Sequence, residues 1–177
     1  YHYYMHDHFL QHVDIHEENI FIPDGEIKEE EISGFCEEYE WSIKKNNGID
    51  IQVLGLGLNG HIGFNEPGAS KNSLMQKVKL SDETRTATIP HFGNKENVPK
   101  QAISMGVRTI LDADQIVLMA WGKEKAEIVK ECIEGNVNKN VPASFLQEHN
   151  NVTIILDSGS ASRLDKSRIS QVETKLS

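Results

Sequence analysis

A chain of 177 residues is long enough to bury one sizeable hydrophobic core, which predicts a single domain over residues 1–177. Its formal net charge of -9, without a concentrated basic patch, argues against nucleic-acid binding, and no apolar run approaches the roughly 20 residues that span a bilayer. The negative net charge does not exclude the binding of small anionic ligands, because a few basic side chains or backbone N–H groups create a local positive field. The separated Cys36 and Cys132 predict reduced thiols in a cytoplasmic protein.

The first third of the chain predicts two helices and one core strand. Apolar side chains over residues 3–13 have helical spacing, residues 19–25 form a β-prone run that ends in a Pro-Asp-Gly turn, and residues 29–45 resume a helical pattern. We expect residues 19–25 to be an exposed strand or a loop. Residues 49–54 carry an almost uninterrupted run of apolar side chains, Ile49, Ile51, Val53 and Leu54, that leads into glycines, as expected for a buried parallel strand that ends in a loop.

Three more strands are predicted, over residues 102–105, 115–121 and 152–156. Between the last two, residues 123–134 have helical spacing and Gly135 follows as a stop signal. This order of strand, helix and strand predicts an α/β fold: a Rossmann-like, mostly parallel sheet flanked by helices, with ligands at the carboxyl ends of the strands. Residues 160–177 indicate a polar helix or a frayed tail.

The chain begins with Tyr1, and no charged and apolar leader precedes the first amphipathic stretch. These features predict that the natural start, and the first strands of the sheet, lie upstream of the sequence.

The densest functional signal is the glycine-containing loop at residues 55–68. Gly55, Gly57 and Gly60 leave room for a ligand to approach the backbone, which makes them candidate substrate-binding residues. Their spacing matches neither the dinucleotide fingerprint nor the phosphate-binding loop, so the glycines taken alone favour a tight strand-to-helix turn. His61 and Glu66 could form a proton relay, because imidazole titrates near neutrality and a carboxylate can orient it.

The segment Asn-Gly-His-Ile-Gly-Phe-Asn-Glu-Pro-Gly at residues 59–68 resembles the signature loop of glucosamine-6-phosphate deaminases. Collinear segments carry the same resemblance along most of the chain, at residues 1–5, 12–15, 19–20, 98–106 and 109–113. Ten consecutive residues and several segments in order are far more specific than any one of them.

The resemblance implies an isomerase-deaminase of amino-sugar catabolism, classed with the hydrolases, that converts glucosamine 6-phosphate into fructose 6-phosphate and ammonia without metal or organic cofactor. It implies catalytic roles for His61, Glu66 and Asn59, with His61 exchanging the protons of ring opening. Some family members carry aspartate in place of Asn59. Lys125 matches the lysine that binds the substrate phosphate, and its place near a helix start suits an anion.

Two parts of the family's site have no counterpart in this sequence. Residues 84–92 place no arginine where family members often carry the phosphate-binding one, and Arg85 matches a different family position. His91 or backbone groups are the candidate replacements. The family's phosphate loop and its carbon-2 base precede the residue that matches Tyr1, so the chain by itself is expected to have little deaminase activity.

Two other hypotheses stay open at this point. One is a related sugar-phosphate enzyme, such as a 6-phosphogluconolactonase or a deaminase-like isomerase, and the other is a non-catalytic sugar-phosphate sensor. The predicted partner is a small amino-sugar phosphate, with neither nucleic acid nor membrane. The family contains regulated hexamers and simpler forms, so a homo-oligomer is left open, and the lack of an added C-terminal regulatory element favours an unregulated form.

Overall fold

A computed structural model describes residues 2–168 of the chain. In chain order the elements are α1 (His2–His8), α2 (Ile32–Lys45), β1 (Ile51–Gly55), β2 (Gln76–Lys79), α3 (Asp82–Ala87), α4 (Ile89–Phe92), β3 (Gln101–Ser104), α5 (Val107–Leu111), β4 (Gln115–Ala120), α6 (Ala126–Glu134) and β5 (Val152–Leu156). Short 3-10 turns connect several of them. None of the helices in this part of the chain is long and apolar enough to cross a membrane.

The main sheet has three parallel strands in the order β1, β4, β5. Alternate side chains along each strand point to the core, because successive residues of a strand face opposite sides of a sheet. The buried side chains of Leu54, Ile116 and Leu118 therefore pack together with Ile110, Ile128, Val129 and Cys132. The parallel α/β sheet predicted from the sequence is confirmed, including the helix between its last two strands.

On the opposite face of this sheet, Ile51, Val53 and Ile155 are about half exposed, and β1 pairs with β4 alone within residues 2–168. The prediction that further strands precede Tyr1 is not tested by these observations.

Both cysteines are buried free thiols, and burial raises the pKa of the Cys132 thiol to about 12.

The strand predicted near residue 102 exists, but it belongs to a separate sheet. It spans Gln101–Ser104 and pairs antiparallel with β2, which the sequence analysis did not predict. Only one of the four residues of β2 is apolar, so pairing with β3 determines its conformation rather than a hydrophobic pattern.

The N-terminal predictions were correct in kind, with different boundaries. The helix predicted over residues 3–13 ends at His8 and is followed by a 3-10 turn, Leu10–His12. Of the two alternatives for residues 19–25, the loop is observed, since no strand forms there. The predicted helix over residues 29–45 begins as a 3-10 turn and continues as α2. Most of the predicted tail, residues 169–177, lies outside the described residues.

Candidate active site

The loop that follows β1 folds back on itself and places an imidazole against a glycine. The Gly57 N–H donates to the His61 carbonyl at 3.0 Å, and the Gly60 N–H donates to the Gly57 carbonyl at 3.0 Å. A Cβ atom added to Gly57 would lie 2.3 Å from two atoms of the His61 ring. The ring therefore occupies the space that any side chain at position 57 would need.

Gly60 has a different structural role in the same loop. Its φ of +83° lies in the left-handed region, and a Cβ there would lie 2.8 Å from Val141 Cγ1. Its carbonyl accepts a hydrogen bond from the Ala143 N–H at 2.9 Å. Packing alone thus accounts for glycine at position 60, whereas nothing lies within 4 Å of a Cβ built on Gly55. Substrate contacts by Gly55, Gly57 and Gly60 stay a prediction.

Asn59 links His61 to Glu66 through both ends of its side-chain amide. Its Oδ1 lies 2.9 Å from His61 Nδ1, and its Nδ2 donates to Glu66 Oε2 at 2.8 Å. Since Oδ1 can only accept, Nδ1 carries the proton in the neutral imidazole, and the lone pair is left on Nε2. The arrangement can therefore accept a proton at Nε2 while Asn59 and Glu66 hold the ring in one orientation.

The other oxygen of Glu66 is bound by the start of α3. Thr84 Oγ1 donates to Glu66 Oε1 at 2.5 Å, and the Ser81 N–H donates to the same oxygen at 3.1 Å. Neither residue was predicted from the sequence, because Ser81 and Thr84 lie 15 and 18 positions from Glu66. The only local signal was Ser81 as an N-cap, whose Oγ accepts from the Thr84 N–H at 3.1 Å.

Electrostatics keep the imidazole neutral and the carboxylate ionised. Burial lowers the pKa of His61 below its usual value; Glu66 acts in the opposite direction, and the charge of Lys125 lowers the pKa further. Burial opposes ionisation of Glu66, but hydrogen bonds from Thr84, Asn59 and Ser81, together with His61, outweigh it and lower its pKa. A neutral base beside a fixed carboxylate suits proton transfer near neutral pH.

Lys125 approaches this loop from the carboxyl end of β4. It ends a 3-10 turn, Lys123–Lys125, that follows Gly122 and leads into α6. Its Nζ donates to the Leu56 carbonyl at 2.7 Å, which holds the ammonium group beside the loop after β1. The structure thus brings Lys125 to the region of His61, 64 positions earlier in the sequence.

A cavity of about 1270 Å³ connects these groups. Its lining includes Gly57, Asn59, His61, Thr84 and Lys125, but neither Gly60 nor Glu66. His91 does not line this cavity, so its proposed role at the phosphate has no support from its position. Among residues 2–168, no three His, Cys, Asp or Glu side chains cluster as potential metal ligands.

Asn59 gives a sharp prediction, because aspartate cannot donate to Glu66. In Asn59→Asp two carboxylates would replace a hydrogen bond of 2.8 Å, and such a pair resists double ionisation. The added negative charge also favours the imidazolium form of His61. Both effects move the acid limb of the kcat/KM profile to higher pH, with a smaller change in maximal kcat. The measurement is a pH–rate series on the full-length gene product, with the exposed Asn150→Asp as a charge control. Superimposable profiles for Asn59→Asp and the parent would contradict this.

Stability should also depend on pH through His61. Its folded pKa lies below its ordinary value of 6.5, so the unfolded chain binds this proton more readily. The contribution is fully present above pH 6.5 and is lost as the pH falls towards the folded pKa. Thermal unfolding between about pH 7.5 and pH 5.5 should therefore show a steeper fall in Tm for the parent than for His61→Gln. Parallel curves of Tm against pH for the parent and His61→Gln would show that His61 does not contribute to the pH dependence of stability.

The fold and the site define an α/β protein in which His61, Asn59 and Glu66 form a hydrogen-bonded cluster after a parallel strand. Sequence comparison identifies its relatives. The family described as glucosamine-6-phosphate isomerases/6-phosphogluconolactonase matches residues 2–155. The chain therefore belongs to this family.

Individual relatives agree with that assignment. A glucosamine-6-phosphate deaminase of Clostridium botulinum is 46% identical over 165 residues, which are 93% of this chain and 67% of the relative. The enzyme of the same name from Halothermothrix orenii is 46% identical over 164 residues, with the same two shares. The chain thus spans about two thirds of the length of these relatives.

Among solved structures, a deaminase is more similar to this chain than a lactonase is. A structure described as a monomeric glucosamine-6-phosphate deaminase superposes with a TM-score of 0.89 at 43% identity, covering 93% of this chain and 67% of that one. A 6-phosphogluconolactonase from Trypanosoma brucei has a TM-score of 0.60 at 21% identity, covering 81% of this chain and 58% of that one. The second likeness concerns the fold alone.

Proposed function

We propose that the full-length gene product is a glucosamine-6-phosphate deaminase, which converts glucosamine 6-phosphate and water into fructose 6-phosphate and ammonia. The observation that carries the proposal is the chain of hydrogen bonds from His61 through Asn59 to Glu66, beside the main cavity. The names of the relatives most similar in sequence and structure support the same substrate.

Ring opening is the step that these residues suit. The pyranose opens when the anomeric hydroxyl loses its proton and the ring oxygen gains one, so that the bond between carbon 1 and the ring oxygen breaks. His61 Nε2 accepts the first proton, and the imidazolium returns a proton to the ring oxygen. Glu66 stabilises the transient imidazolium from 3.6 Å, the distance between its Oε2 and His61 Nδ1. The burial of both groups strengthens this interaction.

Lys125 and the start of α6 are proposed to bind the phosphate. An ammonium group held beside the loop by the Leu56 carbonyl provides a cation in the lining of the cavity that His61 also lines.

Abstraction of the proton from carbon 2 is not assigned to any of residues 2–168. The proposal places enzyme and substrate in the cytoplasm and involves neither metal nor organic cofactor.

A coupled assay tests the proposal. Purified full-length gene product is supplied with glucosamine 6-phosphate, and fructose 6-phosphate and ammonia are measured together; equal amounts of the two are expected. Parallel samples receive 6-phosphogluconolactone. Hydrolysis of the lactone without ammonia release would instead indicate the lactonase activity found in the same family. Binding of glucosamine 6-phosphate without turnover would indicate a sensor and would overturn the proposal.

A further inference from the structure

The carboxylate of Glu66 is ionised without an ion pair to lysine or arginine. His61 is the only basic side chain within 4 Å of its oxygens among residues 2–168. Its charge is stabilised by hydrogen-bond donors instead, from Asn59 on one oxygen and from Thr84 and Ser81 on the other. Each donor therefore has a large share in fixing the position and charge of this group.

The hydroxyl of Thr84 has its proton committed to Glu66. Ser81 Oγ accepts the Thr84 N–H at 3.1 Å and donates its own proton to Thr84 Oγ1 at 3.0 Å. Thr84 Oγ1 thus accepts from Ser81, and its single proton is free for Glu66 Oε1 at 2.5 Å. The Thr84 residue is 6% exposed, so water has little access to compete for this bond.

We propose that Thr84 is a positioning residue for the acid–base centre, acting through Glu66 and Asn59 on His61, whose Nδ1 also lies 3.4 Å from Thr84 Oγ1. Its hydroxyl fixes Oε1 of the carboxylate, which leaves Oε2 directed at the Nδ2 of Asn59. The amide of Asn59 then has one orientation, in which Oδ1 faces His61 Nδ1. The start of α3 thereby determines which nitrogen of His61 carries the proton and which one is the base. The kinetic part of this inference rests on the proposed function; the structural part does not.

The charged surroundings of Glu66 are consistent with this role. Glu66 lines a second cavity of about 440 Å³ together with Lys79, Asp82, Arg85 and Lys100. The Arg85 guanidinium donates to the carbonyls of Lys95 and Val98 and not to the carboxylate of Glu66. In the part of the chain that the structure describes, none of these basic groups lies within ion-pair distance of the Glu66 carboxylate.

The experiment compares four forms of the full-length gene product: the parent, Thr84→Val, Thr84→Ser and Thr86→Val. Thr84→Val keeps the shape and removes the hydroxyl, whereas Thr84→Ser keeps the hydroxyl. Thr86→Val removes an exposed hydroxyl from the same helix, and this hydroxyl donates to the Asp82 carbonyl and not to Glu66. The readouts are the ¹⁵N shifts of the His61 ring, which distinguish its tautomers, the ¹³C titration of the Glu66 carboxyl, and the kinetics of ammonia release.

For Thr84→Val we expect a mixture of His61 tautomers, a raised pKa of Glu66, and kcat lowered about tenfold with KM nearly unchanged. Thr84→Ser and Thr86→Val should match the parent in all three. If Thr84→Val does not fold, Thr84→Ala carries the same expectation. A single unchanged tautomer together with an unchanged Glu66 titration would overturn the inference. If the parent releases no ammonia while both NMR changes occur in Thr84→Val, the proposed function fails and the positioning role stands.

Discussion

Replacing Gly57 by alanine is expected to lower kcat about 100-fold without unfolding the protein, because misplacement of a catalytic group by about 1 Å has effects of that size. The added Cβ would lie 2.3 Å from two atoms of the His61 ring, so the ring must move away. The φ of Gly57 is not positive, and alanine therefore causes no backbone strain of its own. The loss should come from displacement of the imidazole, measured as kcat and as altered ¹⁵N shifts of the His61 ring.

The matched control for this variant is Gly34→Ala. Gly34 lies in α2, and nothing lies within 4 Å of a Cβ added there. Alanine at this position should leave kcat unchanged and stabilise the helix slightly, since glycine is unfavourable in helix interiors. Parental kcat in Gly57→Ala would show that the position of the imidazole seen here is not the one used in catalysis.

Replacing His61 by glutamine is expected to lower kcat by about 10²- to 10⁴-fold, the range typical for loss of a general acid–base group. Glutamine can still bond Asn59, but its amide cannot exchange a proton near neutral pH. Substrate binding should change little, because the phosphate is proposed to bind Lys125. The measurement is kcat and KM for glucosamine 6-phosphate in the full-length gene product.

His16→Gln is the control for this substitution, since His16 is exposed and its side chain caps no helix. It should retain parental kinetics. A His61→Gln variant with kcat within a few-fold of the parent would show that His61 is not a general acid–base group in the reaction.

The features that the sequence predicted well are those encoded in contiguous residues. The strands β1, β4 and β5 are apolar runs that end in glycine or polar turns, and α6 has clear helical spacing with Gly135 after it. Asn59, His61 and Glu66 lie within eight consecutive residues, so the sequence of one loop was enough to predict that they act together. Its assembly in the structure agrees with the hypothesis of a proton relay, while the catalytic roles stay to be tested.

The features that the sequence did not predict depend on contacts between distant segments. The strand conformation of β2 depends on β3, with which it pairs about 25 residues later in the chain. The bond from Thr84 to Glu66 joins residues 18 positions apart, and Lys125 meets the Leu56 carbonyl from 69 positions away. Neither contact leaves a periodic or compositional pattern, because single polar side chains in helices are common on protein surfaces.

His61, held by Asn59 and Glu66, is proposed to transfer the protons of ring opening. The most direct test of this role uses 2-deoxyglucose 6-phosphate, which can open its ring but has no amine to lose. Exchange NMR measures the rate at which its two anomers interconvert in the presence of the full-length gene product, the His61→Gln variant or no protein. Faster interconversion is expected with the parent, and the protein-free rate is expected with His61→Gln. Equal acceleration by the parent and the variant would contradict this role of His61.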